Sequence, residues 1–197
     1  MMQDIFVEVI LIAAFAIGVG TVSSMVGIGG GIINTPLLII IFGLTSQTAP
    51  ATALVAALFV AAASTVPYYR QNPRPVVFKA GLFLAVMTIP GSLIGVALRE
   101  LIVSDYVLRV IFGIALFPVA IKMLFAKKKG KADEVESFNF SDIPRSRLAL
   151  ALFGGFIGGI SAGLLGIGGG AIVVPVLTIL MGLPIHAAAA TSMFTMI

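Results

Sequence analysis

The 197-residue sequence has no cysteine, no tryptophan and a single histidine. Without cysteine it has no disulfide, no thiolate metal site and no thiol nucleophile. Charged residues make up only 10% of the chain, where a soluble domain carries about 25%. None of those charges sits centrally in an apolar run, which argues against carboxylate proton relays in the portion present. There is no metal-ligand cluster, nucleophile–base pair or acid pair either. The sequence therefore predicts neither an enzyme nor a bound metal or cofactor. Apolar residues fill the chain instead, at 59%, with a mean hydropathy of +1.17. A chain of this length cannot hide so much apolar surface from water, so the lipid bilayer is its expected solvent. A net charge of +4 and a pI near 9.7 would fit nucleic-acid binding in a soluble protein. Here the basic residues lie in loops between apolar runs, which is the pattern of membrane topology, and no nucleic-acid partner is expected.

The apolar runs predict an all-α, multi-pass membrane protein. Full-length spans are expected at Ile5–Val26, Ala51–Tyr69, Val76–Leu98, Tyr106–Phe125 and Leu148–Leu165. Shorter runs cover Ile32–Phe42 and Ala171–Met181, and a further helix begins at Ala187. Residues 70–79 and 122–147 together hold ten of the twelve basic residues. Two spans separate these loops, so they share one side of the membrane. The positive-inside rule makes that side cytoplasmic.

One stretch occurs twice. Gly27-Ile28-Gly29-Gly30-Gly31, Pro36 and Gly43-Leu44 reappear 139 residues later as Gly166-Ile167-Gly168-Gly169-Gly170, Pro175 and Gly182-Leu183. Ungapped alignment of 20–53 with 159–192 gives 15 identities in 34 positions, too many Gly and Pro landmarks for chance. The chain thus reads as a first transmembrane repeat over 1–126, a basic cytoplasmic linker over 127–147 and the start of a second repeat over 148–197. Adding the offset to Phe125 gives 264, beyond Ile197, so a fragment of a longer chain is expected. The other expectation is completion of the second half by another subunit, in a homo-oligomer.

Clustered glycines permit positive φ and leave N–H groups uncovered. Pro36 and Pro175 follow within the first turns of the next helix, so each cluster reads as a helix break with a new helix N-terminus inside the membrane. Such ends attract anions, and duplicated Gly/Pro-broken segments mark the binding sites of secondary transporters. The candidate substrate-binding residues are Gly27, Gly29, Gly30, Gly31, Asn34 and Thr52, with Gly166, Gly168, Gly169, Gly170, Thr191 and Ser192. His186 is a candidate for proton coupling. Discontinuous helices and inverted halves are the preferred arrangement over re-entrant, parallel ones. The competing reading is close helix packing through Gly27-xxx-Gly31, Gly166-xxx-Gly170 and Gly155-xxx-Gly159-xxx-Gly163.

The pattern GIGGG-x4-P, a Gly-Leu turn and the Ala187–Ser192 run AAAATS resembles the duplicated signature of the sulfite exporter TauE/SafE family, also called toluene-sulfonate uptake permeases. The resemblance covers essentially the whole chain. It implies an inner-membrane permease for small sulfur-containing anions such as sulfite or sulfoacetate. A passive anion channel, or a non-transporting subunit whose glycines only pack helices, are the alternatives.

Overall fold

The computed structural model describes residues 16–45, 48–72, 74–101, 140 and 143–197, with the isolated positions 106, 110 and 117. Most of the expected span over 106–125, the first residues of the span that starts at Ile5 and most of the linker lie outside them. The described helices are α1 (Ala16–Val26), α2 (Gly31–Ile40), α3 (Ala49–Arg70), α4 (Phe78–Leu101), α5 (Arg145–Leu165), α6 (Gly170–Leu180) and α7 (Ile185–Thr195). No strand occurs among the described residues.

Three of these, α3, α4 and α5, are long and apolar enough to cross a membrane, and each falls where the apolar runs place a span. Their outer faces carry Phe59, Leu82, Leu93 and Phe153, all more than 60% exposed. In water each such side chain would forgo about 1.5–3 kcal/mol of burial. In lipid that loss vanishes, and the protein is an all-α membrane protein.

Small residues hold the long helices together. A Cβ on Gly159 or Gly163 would run into the carbonyl of Thr88 or Ser92, and one on Gly91 or Gly95 into that of Phe156 or Ile160. The predicted packing role of Gly159 and Gly163 is thus met by a matching pair of glycines on α4, close to Pro90, through which α4 runs unbroken. Without Cβ atoms the backbones approach closely enough for extensive van der Waals contact, which in lipid is the main source of helix association. The contact numbers rise together along both helices, so α4 and α5 run parallel. Lys79 at the start of α4 therefore lies at the same end of the bundle as Arg145 and Arg147 at the start of α5.

Helices α3 and α7 are sequence counterparts in the two repeats, and they run in opposite directions. Tyr68, near the end of α3, stacks edge-on against His186, near the start of α7, with ring centroids 5.5 Å apart. Ala61 clusters with Ala190 and Met193. Farther back along α3, Ala57 meets the same glycine as Met196. Helix α7 is buried from Ala187 through Met193. Val173, Leu177 and Leu84 form the largest described core between α4, α6 and α7.

Candidate functional site

Both glycine clusters break the chain in the same way. Helix α1 closes with the Gly27 N–H on the Ser23 carbonyl (3.0 Å), and α5 closes with the Gly166 N–H on the Ala162 carbonyl (2.8 Å). Positive φ follows at Gly27, Gly29 and Gly30 (80°, 72°, 85°) and at Gly166, Gly168 and Gly169 (69°, 78°, 73°). An L side chain rarely adopts such angles, so the repeated spelling has a backbone cause. The short helices end alike too. Leu44 N–H reaches the Leu38 carbonyl and Leu183 N–H the Leu177 carbonyl, around Gly43 and Gly182 in the left-handed region.

The two breaks lie against each other, in reciprocal fashion. A Cβ on Gly31 would strike the Gly166 carbonyl and the Ile167 backbone, and a Cβ on Gly170 would strike the Gly27 carbonyl and Ile28. One on Gly27 would come within 2.5 Å of Ala189 Cα, and one on Gly166 would strike Pro50, the counterpart of Ala189. When residue i meets j and the counterpart of j meets the counterpart of i, the contact has the form that a two-fold axis generates. At the centre, Ala57 Cβ stands 3.5 Å from where a Cβ of either Gly29 or Gly168 would be. Its counterpart Met196 places Sδ 2.6 Å and 3.5 Å from the same two points.

This sorts the predicted glycines into two kinds. Gly27, Gly31, Gly166 and Gly170 seat backbone on backbone, as the packing alternative requires. Gly29, Gly30, Gly168 and Gly169 face mainly side chains. The N–H groups of Gly29, Gly30, Gly31 and Ile32, and those of Gly168, Gly169 and Ala171, find no acceptor among the described residues. They are the open donors that every helix start leaves, and here the two breaks that carry them lie against each other.

The predicted hydroxyls divide likewise. Ser192 is fully buried and donates to the Gly27 carbonyl at 2.9 Å. The matching Gly166 carbonyl is served by Thr35, at 3.4 Å. Thr191 accepts from the Val77 N–H at 3.0 Å, closing the start of α4 from across the bundle. Thr52 donates to its own helix at Thr48 and, with Asn34, lines a cavity of about 480 Å³ between α1, α2 and α3. Gly168, Ala57, Thr88 and Met196 line a second cavity of about 440 Å³. His186 Nε2 pairs with Gln71 Oε1 at 3.1 Å, beside Tyr68. Tyr68 lies eleven residues along α3 from Ala57, about 16 Å at 1.5 Å per residue, so His186 is well away from the crossing.

The prolines sit deeper than a helix-starting proline would. Pro36 is the sixth residue of α2. Pro175 ends the regular part of α6, and the chain widens into a π-type turn over Val176–Leu180. The missing proline N–H frees a carbonyl one turn back in each case. Sequence reasoning missed Ser23, Ala57 and Met196. For the last two the signal was available, since the 139-residue offset pairs them. Among the described residues no three His, Asp or Glu side chains gather as a metal would need.

The family model described as Sulfite exporter TauE/SafE matches residues 11–197. The chain belongs to this family. It is 31% identical over 205 residues to the Bacillus subtilis protein named "Probable membrane transporter protein YunE", covering 94% of the chain and 72% of that relative. It is 29% identical over 193 residues to a Haemophilus influenzae "Probable membrane transporter protein", covering 98% of the chain and 69% of the relative. No solved structure matches significantly. Membership of TauE/SafE makes the chain a member of a membrane transporter family, and the glycine crossing is where its two copies of the repeated signature come together.

Proposed function

We propose that the chain is a secondary permease for small anions, above all sulfur oxyanions and organosulfonates such as sulfite or sulfoacetate. The observation that carries this reading is the meeting of two helix breaks whose N–H groups are open. In a low-dielectric interior, open backbone donors attract negative charge without a lysine or arginine. The inner glycines, Gly29, Gly30, Gly168 and Gly169, with Asn34 and Thr52, are the proposed ligand contacts. Thr191 and Ser192 act on the site by fixing α7 against α4 and against the first break. His186, paired with Gln71, is left as a candidate for proton coupling from outside the crossing.

The antiparallel course of α3 and α7 supports inverted halves, because a two-fold axis that reverses counterpart helices lies in the membrane plane. Alternating access then follows from one half rocking against the other about the crossing. The shared end of α4 and α5, with Lys79, Arg145 and Arg147, is assigned to the cytoplasm by the positive-inside rule. The bilayer is the cell membrane.

The packing alternative draws support from the outer glycines, which touch backbone directly. Thermal melting of the detergent-purified chain against sulfite, sulfate, thiosulfate, sulfoacetate, taurine and chloride separates the two. A ligand at 100 times its dissociation constant adds about 2.7 kcal/mol. The expected result is a shift selective for a sulfur anion. Equal melting with all six compounds would contradict the reading and leave the glycines a purely structural role.

A further inference from the structure

Hydroxyls in membrane helices ordinarily bond back to their own helix, and here Thr21, Ser24, Ser64, Thr65 and Thr88 do so. Ser23 does not. Its Oγ is buried, its residue is 2% exposed, and it has no hydrogen-bond partner among the described residues. It faces the start of α2 instead. A Cβ on Gly30, the residue that caps α2, would stand 3.3 Å from Ser23 Oγ and 3.1 Å from Asn34 Nδ2. Leaving such a hydroxyl unsatisfied is unfavourable, so an occupant that completes it is expected. The groups around Gly30 are an amide NH2, a hydroxyl and the open N–H groups of Gly29 to Ile32, nearly all donors. An acceptor-rich partner fits that set, and a small oxyanion is one.

The second repeat has no such place. The counterparts of Ser23 and Asn34 are Ala162 and Val173. A Cβ on Gly169, the counterpart of Gly30, would meet Ala162 Cβ at 3.6 Å and the Gly158 carbonyl at 3.7 Å. Beside Gly169 there is an apolar wall and a lone acceptor and no side-chain donor, where the first repeat offers two.

We propose that Ser23 and Asn34, with the open N–H groups at the start of α2, form a donor pocket that holds one oxygen of a small oxyanion, and that the first repeat alone carries it. This rests on the anion-permease reading above. It adds Ser23 as a binding residue and makes the site one-sided despite the duplicated backbone. The bound anion is oriented by the first half, and the second half supplies the opposing wall.

The test is equilibrium binding of 35S-labelled sulfite to the detergent-purified chain, with anion-free melting measured on the same samples. Ser23→Ala is expected to weaken binding about tenfold while melting at or above the wild-type temperature, since it removes an unsatisfied group. Asn34→Leu, similar in size but without the amide, is expected to weaken binding at least as much. Ala162→Ser is expected to leave affinity within about twofold of wild type. Wild-type affinity in both Ser23→Ala and Asn34→Leu would overturn the pocket and leave the permease reading standing. So would losses in binding that only track a loss of folded protein. Failure of the wild-type chain to bind sulfite, sulfate, thiosulfate or sulfoacetate would overturn the permease reading, and the pocket with it.

Discussion

The two glycine clusters share one backbone and differ in almost everything around it. Three glycines in each cluster hold the same left-handed conformations, and each cluster presses its last glycine into the other's first two residues. Around the second cluster, every residue from Gly170 to Pro175 is buried. Around the first, Gly31 is the only buried residue of α2. Side chains diverge in the same sense: Ser23 and Asn34 flank the first break, Ala162 and Val173 the second. A duplicated scaffold keeps what the backbone needs, because a Cβ there would collide or strain. Freed of that constraint, neighbouring side chains have separated into a polar half and a packing half.

The sharpest way to break the likeness is to add a side chain where backbone meets backbone. Gly31→Val and Gly170→Val should both destabilise by about 3 kcal/mol or more, because neither opposing backbone segment can retreat. Folded yield and thermal melting read this directly. If either variant folds as wild type, the reciprocal contact is not what joins the repeats. Gly29→Ala is the contrast: its cost should be about 1–2 kcal/mol for the left-handed backbone, since its nearest neighbour is the flexible end of Met196.

The next prediction separates the two cluster carbonyls. Ser192→Ala leaves the Gly27 carbonyl without its 2.9 Å donor, at a cost of about 1–3 kcal/mol. Thr35→Val removes only a 3.4 Å contact from the Gly166 carbonyl and should cost less than about 1 kcal/mol. Equal losses in urea or thermal denaturation would mean that these hydroxyls serve the two halves alike. The smallest effect belongs to His186→Ala. Its partner Gln71 is exposed, so stability should move by less than about 0.5 kcal/mol, and any change in the pH dependence of flux would report coupling alone.

Much of this was legible in the sequence, for physical reasons. Apolar runs and basic loops place α3, α4 and α5, because lipid imposes a minimum length and excludes charge. The breaks were legible because Gly and Pro restrict the backbone locally, whatever packs against it. The roles of Thr191 and Ser192 were not. Both lie on α7, and what each bonds depends on which helix crosses it, Val77 before α4 in one case and Gly27 after α1 in the other. Ser23 escaped notice because one serine in an apolar helix normally bonds to its own backbone. Its meaning comes only from Gly30, seven residues on, turning back toward it.

The central claim, that the glycine crossing carries small sulfur oxyanions, is tested most directly by flux. Purified chain would be reconstituted in liposomes, and entry of 35S-labelled sulfite followed against rising concentration, for wild type and for Ser23→Ala. The account predicts saturable entry, competed by sulfoacetate but not by chloride, with Ser23→Ala raising the half-saturating concentration about tenfold. Entry that rises linearly without saturation and is the same in both proteins would point to a passive pore. Entry no faster than in protein-free liposomes would contradict transport by this chain altogether.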